Sequence, residues 1–223
     1  MAKKIVCFAN YKGGCGKTTL AFHVVCRASH HGISTLAITL DPQGSLVKRL
    51  VEDVALSGDN YYKVDEYVDA LSSPNEYDID EDEDEHDLIV VDFPPAFKDC
   101  DLVVPDLWIV PVDCREAVEG LMTARPEMQI RAGGVGIYAV MNKYDTAGRM
   151  TIKKAQEAIS MMKGVKEWSY QIPTSGTIQR SNEYYSPTWA LAVGHGTKGD
   201  QIMIQFCDDV LELLGFLRKG RRR

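Results

Sequence analysis

The sequence predicts an α/β fold: a doubly wound, mostly parallel sheet with helices on both faces. Three observations carry that prediction. Apolar runs of strand length alternate with helical patterns, a glycine- and lysine-rich loop joins the first run to the first helix, and 223 residues at 45% hydrophobic content suit one sizeable core. A single domain spanning residues 1–223 is expected.

The elements follow in order. Ile5-Val6-Cys7-Phe8-Ala9 reads as a short buried strand, and Thr19-Leu20-Ala21-Phe22-His23-Val24-Val25 as the start of a helix. Thr35 to Leu40 and Leu88-Ile89-Val90-Val91 are the next apolar runs. Leu107–Val112 and Val135–Val140 read as further buried strands, with helices over 115–131, 150–163 and 200–218. Pro126 is expected to break or kink the first of these helices, because it removes a backbone donor and crowds the preceding turn. In such a sheet a ligand sits at the carboxyl ends of the strands, where the loop, Asp41, Asp92 and Asn142 all fall.

Between the first strand and helix the chain reads Lys12-Gly13-Gly14-Cys15-Gly16-Lys17-Thr18-Thr19. A loop of the form G-x-x-x-x-G-K-[ST] turns its backbone N–H groups around phosphates, and glycines are needed where a Cβ would block the turn. Here Tyr11 occupies the first glycine position, and Gly13, Gly14, Cys15 and Gly16 form the cradle. Lys17 is expected on the β- and γ-phosphate oxygens, the Thr18 hydroxyl on Mg²⁺, and Thr19 near the α-phosphate. That leaves Lys12 over. One lysine already meets the γ-phosphate from its own chain, so a second at the outer edge is placed to meet a nucleotide held by another copy. Cys15 admits two readings: a thiol whose pKa is lowered by loop N–H groups and Lys17, or a filler of a variable loop position.

Asp41-Pro42-Gln43-Gly44-Ser45 follows the second apolar run, Leu88-Ile89-Val90-Val91-Asp92-Phe93-Pro94-Pro95 forms another strand and turn, and Ala139-Val140-Met141-Asn142 closes a third. With the double-lysine loop, Ile172-Pro173 and Ile178-Gln179-Arg180-Ser181, these segments resemble the ParA/MinD deviant Walker A ATPases, closest to small ParA-type partition ATPases. That family positions plasmids, chromosomes, division sites and other cargo. The resemblance covers nearly the whole chain and implies a P-loop ATPase that binds ATP and Mg²⁺ and hydrolyses slowly until a partner stimulates it. It implies that Asn142 and the backbone near Pro173 hold adenine, that Asp92 orders the metal shell through water, and that Asp41 orients the attacking water. It further implies a face-to-face ATP dimer with Lys12 reaching across, non-specific DNA binding, and a ParB-like centromere-binding partner. Two departures bear on hydrolysis rate and switching: Thr39 stands where the family often has an acidic residue, and Phe93 replaces a common threonine.

Composition shapes the rest. From Asp78 to Asp87 eight of ten residues are acidic, and an acidic loop is expected over 76–87, either solubilising or a dock for a basic segment. Without Glu76 and those eight, 23 of the 32 acidic residues remain against 25 basic ones, so the net charge of -7 arises in this loop. A basic tail over 218–223, with Arg218, Lys219, Arg221, Arg222 and Arg223 joined by Arg180 and also Lys153 and Lys154, is the candidate DNA patch; it would contact phosphates without reading bases.

The same end carries a rival reading. Ile202, Phe206, Val210, Leu213, Leu214 and Leu217 share a helical face, which either covers the sheet or, as in MinD-like relatives, holds a membrane. Core packing is the simpler account, and no apolar stretch is long enough to cross a bilayer. Met1-Ala2-Lys3-Lys4 leads straight into the first strand, which leaves no room for a signal peptide or a leading DNA-reading domain. Six cysteines without paired or metal-ligand spacing fit reduced thiols. A cytoplasmic, nucleoid-associated protein is expected. A third class, a small-molecule enzyme on the same fold such as a dethiobiotin synthetase relative, is disfavoured by Lys12 and the D-P-Q-G-S segment.

Overall fold

Apolar runs too short for helices and buried on both faces become the centre of a sheet. The computed structural model describes residues 2–51, 60–72, 85–95, 104–131, 136–144, 149–183, 187, 190 and 197–218. In chain order these form β1 (Lys4–Phe8), α1 (Lys17–His30), β2 (Thr35–Thr39), α2 (Val47–Leu50), β3 (Asn60–Lys63), β4 (Val68–Ser72) and β5 (Leu88–Asp92). The second half supplies β6 (Leu107–Val112), α3 (Arg115–Arg131), β7 (Gly136–Tyr144), α4 (Arg149–Ser160), β8 (Val165–Glu167), β9 (Ile172–Pro173), α5 (Gly176–Glu183) and α6 (Lys198–Leu213). Residues 76–84 of the expected acidic loop and the tail residues Lys219, Arg221, Arg222 and Arg223 lie outside the described residues.

The strands run β3-β4-β2-β5-β1-β6-β7-β8 across the sheet, and β9 pairs with the far end of β7. Every pairing is parallel except β3 with β4. This is the mostly parallel α/β sheet that the sequence predicts. Register sets the site: Asp92, last residue of β5, lies opposite Phe8 of β1 and Thr39 of β2, so three strand ends meet beside the loop that leaves β1.

Alternate side chains of each strand enter opposite layers. Ile5 and Cys7 pack with Leu121, Met128 and Ile159 of α3 and α4, whereas Val6 and Phe8 pack with Leu20, Val24, Phe206 and Val210 of α1 and α6. The α6 stripe is thereby accounted for: Phe206, Val210 and Leu214 are buried, and Ile202, Leu213 and Leu217 pack against the same core. No helix among the described residues is long and apolar enough to cross a membrane.

Three sequence expectations are corrected. Helix α3 continues through Pro126 to Arg131 without a break; the proline deprives only the Met122 carbonyl of its donor, and Met122 is exposed where water reaches. Helix α6 stops at Leu213, ahead of Gly215 at φ 90, and starts at a capping box between Thr197 and Asp200. Helix α4 ends at Ser160.

Across α1 and α6, Arg27 donates two hydrogen bonds to Asp208, at 2.7 and 2.9 Å, and His31 Nε2 lies 3.0 Å from the same carboxylate. Burial alone would raise the Asp208 pKa, but the bonds and charges of Arg27 and His31 outweigh it and hold the group below 3.8. Because the folded value is depressed, the stabilisation is present above the unfolded pKa and is lost as pH falls through the folded one. Asp208→Asn is expected to lower stability at pH 7 by on the order of 1 kcal/mol. In urea titrations the gap to wild type should stay constant down to about pH 5 and narrow below about pH 4.

Candidate nucleotide site

The loop after β1 takes its shape from backbone that only glycine accepts comfortably. Gly14 has φ 74 and Gly16 φ 104, both left-handed. A Cβ on Gly16 would lie 2.0 Å from Asn142 Nδ2, and that amide donates a 2.7 Å hydrogen bond to the Cys15 carbonyl. Lys143, the next residue of β7, donates from Nζ to the Gly14 carbonyl. Helix α1 then begins at Lys17 with no side-chain cap and no acidic residue in its first turn, which leaves its N–H groups and positive dipole end to the loop. Lys17 is buried, its Nζ donating to the carbonyls of Asn10 at 3.2 Å and Lys12 at 3.3 Å. An ammonium resting on neutral carbonyls gains strongly from an anion.

The outer edge of the loop is clamped by residues with no motif of their own. Asn10, fully buried, donates to the carbonyls of Pro111 and Ala117 at 2.9 and 3.0 Å and accepts from the Lys12 N–H at 2.9 Å. A Cβ on Gly120 of α3 would come within 2.6 Å of Asn10 Oδ1 and 3.3 Å of the Tyr11 Cβ. Ala is intrinsically the better helix former by about 1 kcal/mol, yet Asn10 has no room to move. Gly120→Ala is expected to destabilise by about 1–3 kcal/mol, read as a fall in thermal midpoint; an unchanged or raised midpoint would contradict the clamp.

Lys12 itself does not enter the cradle. Its Nζ sits 2.9 Å from both carboxylate oxygens of Asp113, just past β6. Burial pulls its pKa down, but the hydrogen bond and charge of Asp113 more than reverse this and raise it above 10.5, so Lys12 is a cation at neutral pH.

On the other side of the loop the Thr18 hydroxyl donates to Asp92 Oδ2 at 2.7 Å. Asp92 Oδ1 is buried without a hydrogen-bond partner among the described residues. Burial lifts the Asp92 pKa to about 7, against the pull of the Thr18 bond and the Lys17 charge; the nearby Asp41 charge adds to the rise. Asp41 opens a turn in which its side chain accepts from the Gln43 N–H at 2.9 Å and its carbonyl from the Gly44 N–H at 2.8 Å, with Gly44 at φ 61. Thr39, one strand over from Asp92, keeps a buried hydroxyl with no partner among the described residues.

Asn142 and Pro173 fall together because β9 pairs with the end of β7, Ile172 opposite Asn142. Asn142 is buried with its amide on the loop, so in this structure it braces the cradle directly. Pro173 lines a cavity of about 660 Å³ together with Trp168, Tyr170, Thr174 and the start of α6. Thr19 lies between two side chains that sequence reasoning missed: Arg49 Nη1 donates to its hydroxyl at 3.2 Å, and that hydroxyl lies 3.4 Å from Asn182 Oδ1. His23, one turn on, is buried, its pKa lowered by burial to about 4, and donates from Nδ1 to the Thr19 carbonyl at 2.7 Å.

Of the two readings of Cys15, the structure favours the filler of a loop position over the activated thiol: it is fully buried against the Lys12 carbonyl, and burial raises its pKa despite Lys17. It is a packed thiol. Arg180 is exposed on α5, its guanidinium 3.4 Å from Thr177; Lys153 and Lys154 are exposed on α4, and Arg218 is exposed after α6. No group of three or more His, Cys, Asp or Glu that would hold a metal occurs among the described residues.

A family model described as the CobQ/CobB/MinD/ParA nucleotide binding domain matches residues 6–187. The fold is similar to that of the septum site-determining protein MinD complexed with Mg-ADP from Pyrococcus horikoshii, with TM-score 0.74 and 18% identity over 97% of this chain and 99% of that one. It is similar to the McdA–ATP complex of Cyanothece, at TM-score 0.73 and 14% identity over 99% of both chains. It is also similar to a plasmid partition protein of Borrelia burgdorferi bound to AMPPNP, at TM-score 0.68 and 18% identity over 95% of this chain and 98% of that one. No curated protein sequence matches this chain.

Proposed function

The chain belongs to the CobQ/CobB/MinD/ParA nucleotide-binding family, and from that membership we propose that it is a ParA-like ATPase. In this reading it closes into a dimer around ATP, binds DNA without sequence preference, and partitions DNA with a ParB-like partner that stimulates a slow hydrolysis. One observation carries it. With Lys17 already in the cradle, the loop holds a second, permanently charged lysine at its rim, parked on a carboxylate rather than buried in its own phosphate site. The side chain of Lys12 stays 29% exposed, open in this reading to the triphosphate of a second copy.

Each residue has a task. Gly13, Gly14, Cys15 and Gly16 present backbone N–H groups to the phosphates, Lys17 exchanges carbonyl partners for phosphate oxygens, and Thr19 meets the α-phosphate. The adenine would lie toward Asn142 and the cavity beside Pro173. A magnesium ion fits the donor set of Thr18 and Asp92: two hard oxygens, one with a buried atom lacking a partner, suit an ion that keeps several waters and takes the rest of its shell from phosphate. Such an ion would neutralise charge developing on the phosphates. Asp41 holds the attacking water, and loss of the γ-phosphate removes the contacts that join the two copies.

The C-terminal arginines with Lys219, and Arg180 with Arg218, would supply the phosphate contacts to DNA; doubling them in a dimer makes retention nucleotide- and salt-dependent. The burial of the α6 stripe supports this over membrane attachment. The test is retention of a random duplex with ATP, ADP and a non-hydrolysable analogue, alongside molar mass by light scattering. ATP- and analogue-dependent dimer and retention are expected, lost when Arg221 to Arg223 or Arg180 are neutralised. A dimer without DNA retention would point to another cargo, and a monomer with the analogue would overturn the reading.

A further inference from the structure

Thr39 ends β2 and is fully buried, yet its hydroxyl has no hydrogen-bond partner among the described residues. Its direction follows from the alternation of the strand. Leu36 and Ile38 pack with α3 and α4, whereas Ala37 packs with α1 and α6, so Thr39 points to the α1 layer. Asp92 stands on the same face: Leu88 and Val90 pack with α1, and the Asp92 carboxylate accepts from Thr18 of that helix. The two residues are register partners on adjacent parallel strands, whose backbones lie about 4.8 Å apart. Asp92 Oδ1, equally buried, also lacks a partner among the described residues. An unpaired buried polar atom is costly, and a valine at position 39 would fill nearly the same space without that cost. Two such atoms side by side at the carboxyl ends of the strands mark a place kept for a ligand. Their chemistry limits what it takes. A phosphate oxygen only accepts and would be repelled by Asp92, so the ligand must offer O–H donors or positive charge; hydrated magnesium offers both.

We infer that Thr39 is a positioning residue for magnesium, its hydroxyl and Asp92 Oδ1 together holding the hydration shell of the ion. The inference rests on the reading above, in which Thr18 and Asp92 are the metal's donors, and adds to them a third residue, from β2. Thr39 lies two positions before Asp41, so the metal is tied to the segment whose carboxylate is assigned to the attacking water. A neutral group at this position, where the family often has an acidic one, holds the shell by hydrogen bonding alone. Its worth is that of one hydrogen bond.

Calorimetric titration of a non-hydrolysable ATP analogue, once with magnesium and once with EDTA, tests this on Thr39→Val and Thr39→Ser. Thr39→Val is expected to lose about tenfold in affinity with magnesium, the worth of one buried hydrogen bond, and to bind as wild type in EDTA. Without nucleotide or metal the same variant should melt at or above the wild-type temperature, since it removes an unpaired hydroxyl from the interior. Thr39→Ser, which keeps the hydroxyl, should keep most of the magnesium-dependent affinity. The inference is overturned if Thr39→Val with magnesium stays within about twofold of wild type, if it loses as much in EDTA, or if Thr39→Ser loses as much as Thr39→Val. A lower melting temperature for Thr39→Val would also overturn it, by assigning the hydroxyl to the fold. Wild-type affinity that is the same with magnesium and with EDTA would instead overturn the metal reading beneath it.

Discussion

Asp41→Ala is expected to bind Mg-ATP as tightly as wild type, to turn it over about 100-fold or more slower, and to remain a dimer on DNA. A positioned base contributes roughly 10²–10⁴ to rate, and Asp41 stands at the end of β2 where its charge is felt by Asp92. The same carboxylate also holds the turn through the Gln43 N–H. Asp41→Asn separates the two roles, since an amide oxygen still accepts that bond but no longer takes a proton. Both variants should be slow by phosphate release and dimeric by light scattering. Unchanged hydrolysis in either would remove Asp41 from the mechanism.

Lys12→Ala is expected to bind nucleotide yet stay monomeric with a non-hydrolysable analogue, because its own site is served by Lys17 while the facing phosphate loses its cation. The neighbouring substitution should act in the opposite direction. In the isolated chain Asp113 holds Lys12 by a two-point contact, with 29% and 12% of the two side chains exposed, and that pair must open before the lysine crosses to another copy. Asp113→Asn removes the competitor and should tighten the dimer by about five- to tenfold, the worth of a part-exposed ion pair of on the order of 1 kcal/mol. Sedimentation across a range of protein concentrations reads both effects. Equal dimer affinity in Asp113→Asn and wild type would show that the pair does not restrain Lys12.

The strands that carry the site were legible because their sequences are continuous apolar runs: β1, β2, β5, β6 and β7 fall where those runs are. Strands β3 and β4 were not. Val68–Ser72 has Asp69 and Ser72 buried within it, and Asp69 meets Tyr61, His86 and Lys63, contacts that no local pattern announces. The loop, Thr18 and Asp92 were legible by spacing, and the structure joins Thr18 to Asp92 directly. Asp113, Gly120, Lys143 and Arg49 escaped, because each acts on the loop through a contact that only folding creates. A glycine in the middle of a helix is the one local hint, since Gly120 weakens α3 and must have a packing reason. For Cys15 the sequence left an activated thiol and a loop filler open, and burial decides for the filler by raising its pKa.

The brace from Asn142 to Cys15 spans 127 positions, and the Asn10 anchor to Ala117 spans 107. During synthesis the phosphate motif therefore emerges early but remains without its supports until well over half the polypeptide has left the ribosome. A nascent chain ending before Asn142 has the letters of the motif without this brace, so full capture of nucleotide becomes a late event in the maturation of this molecule.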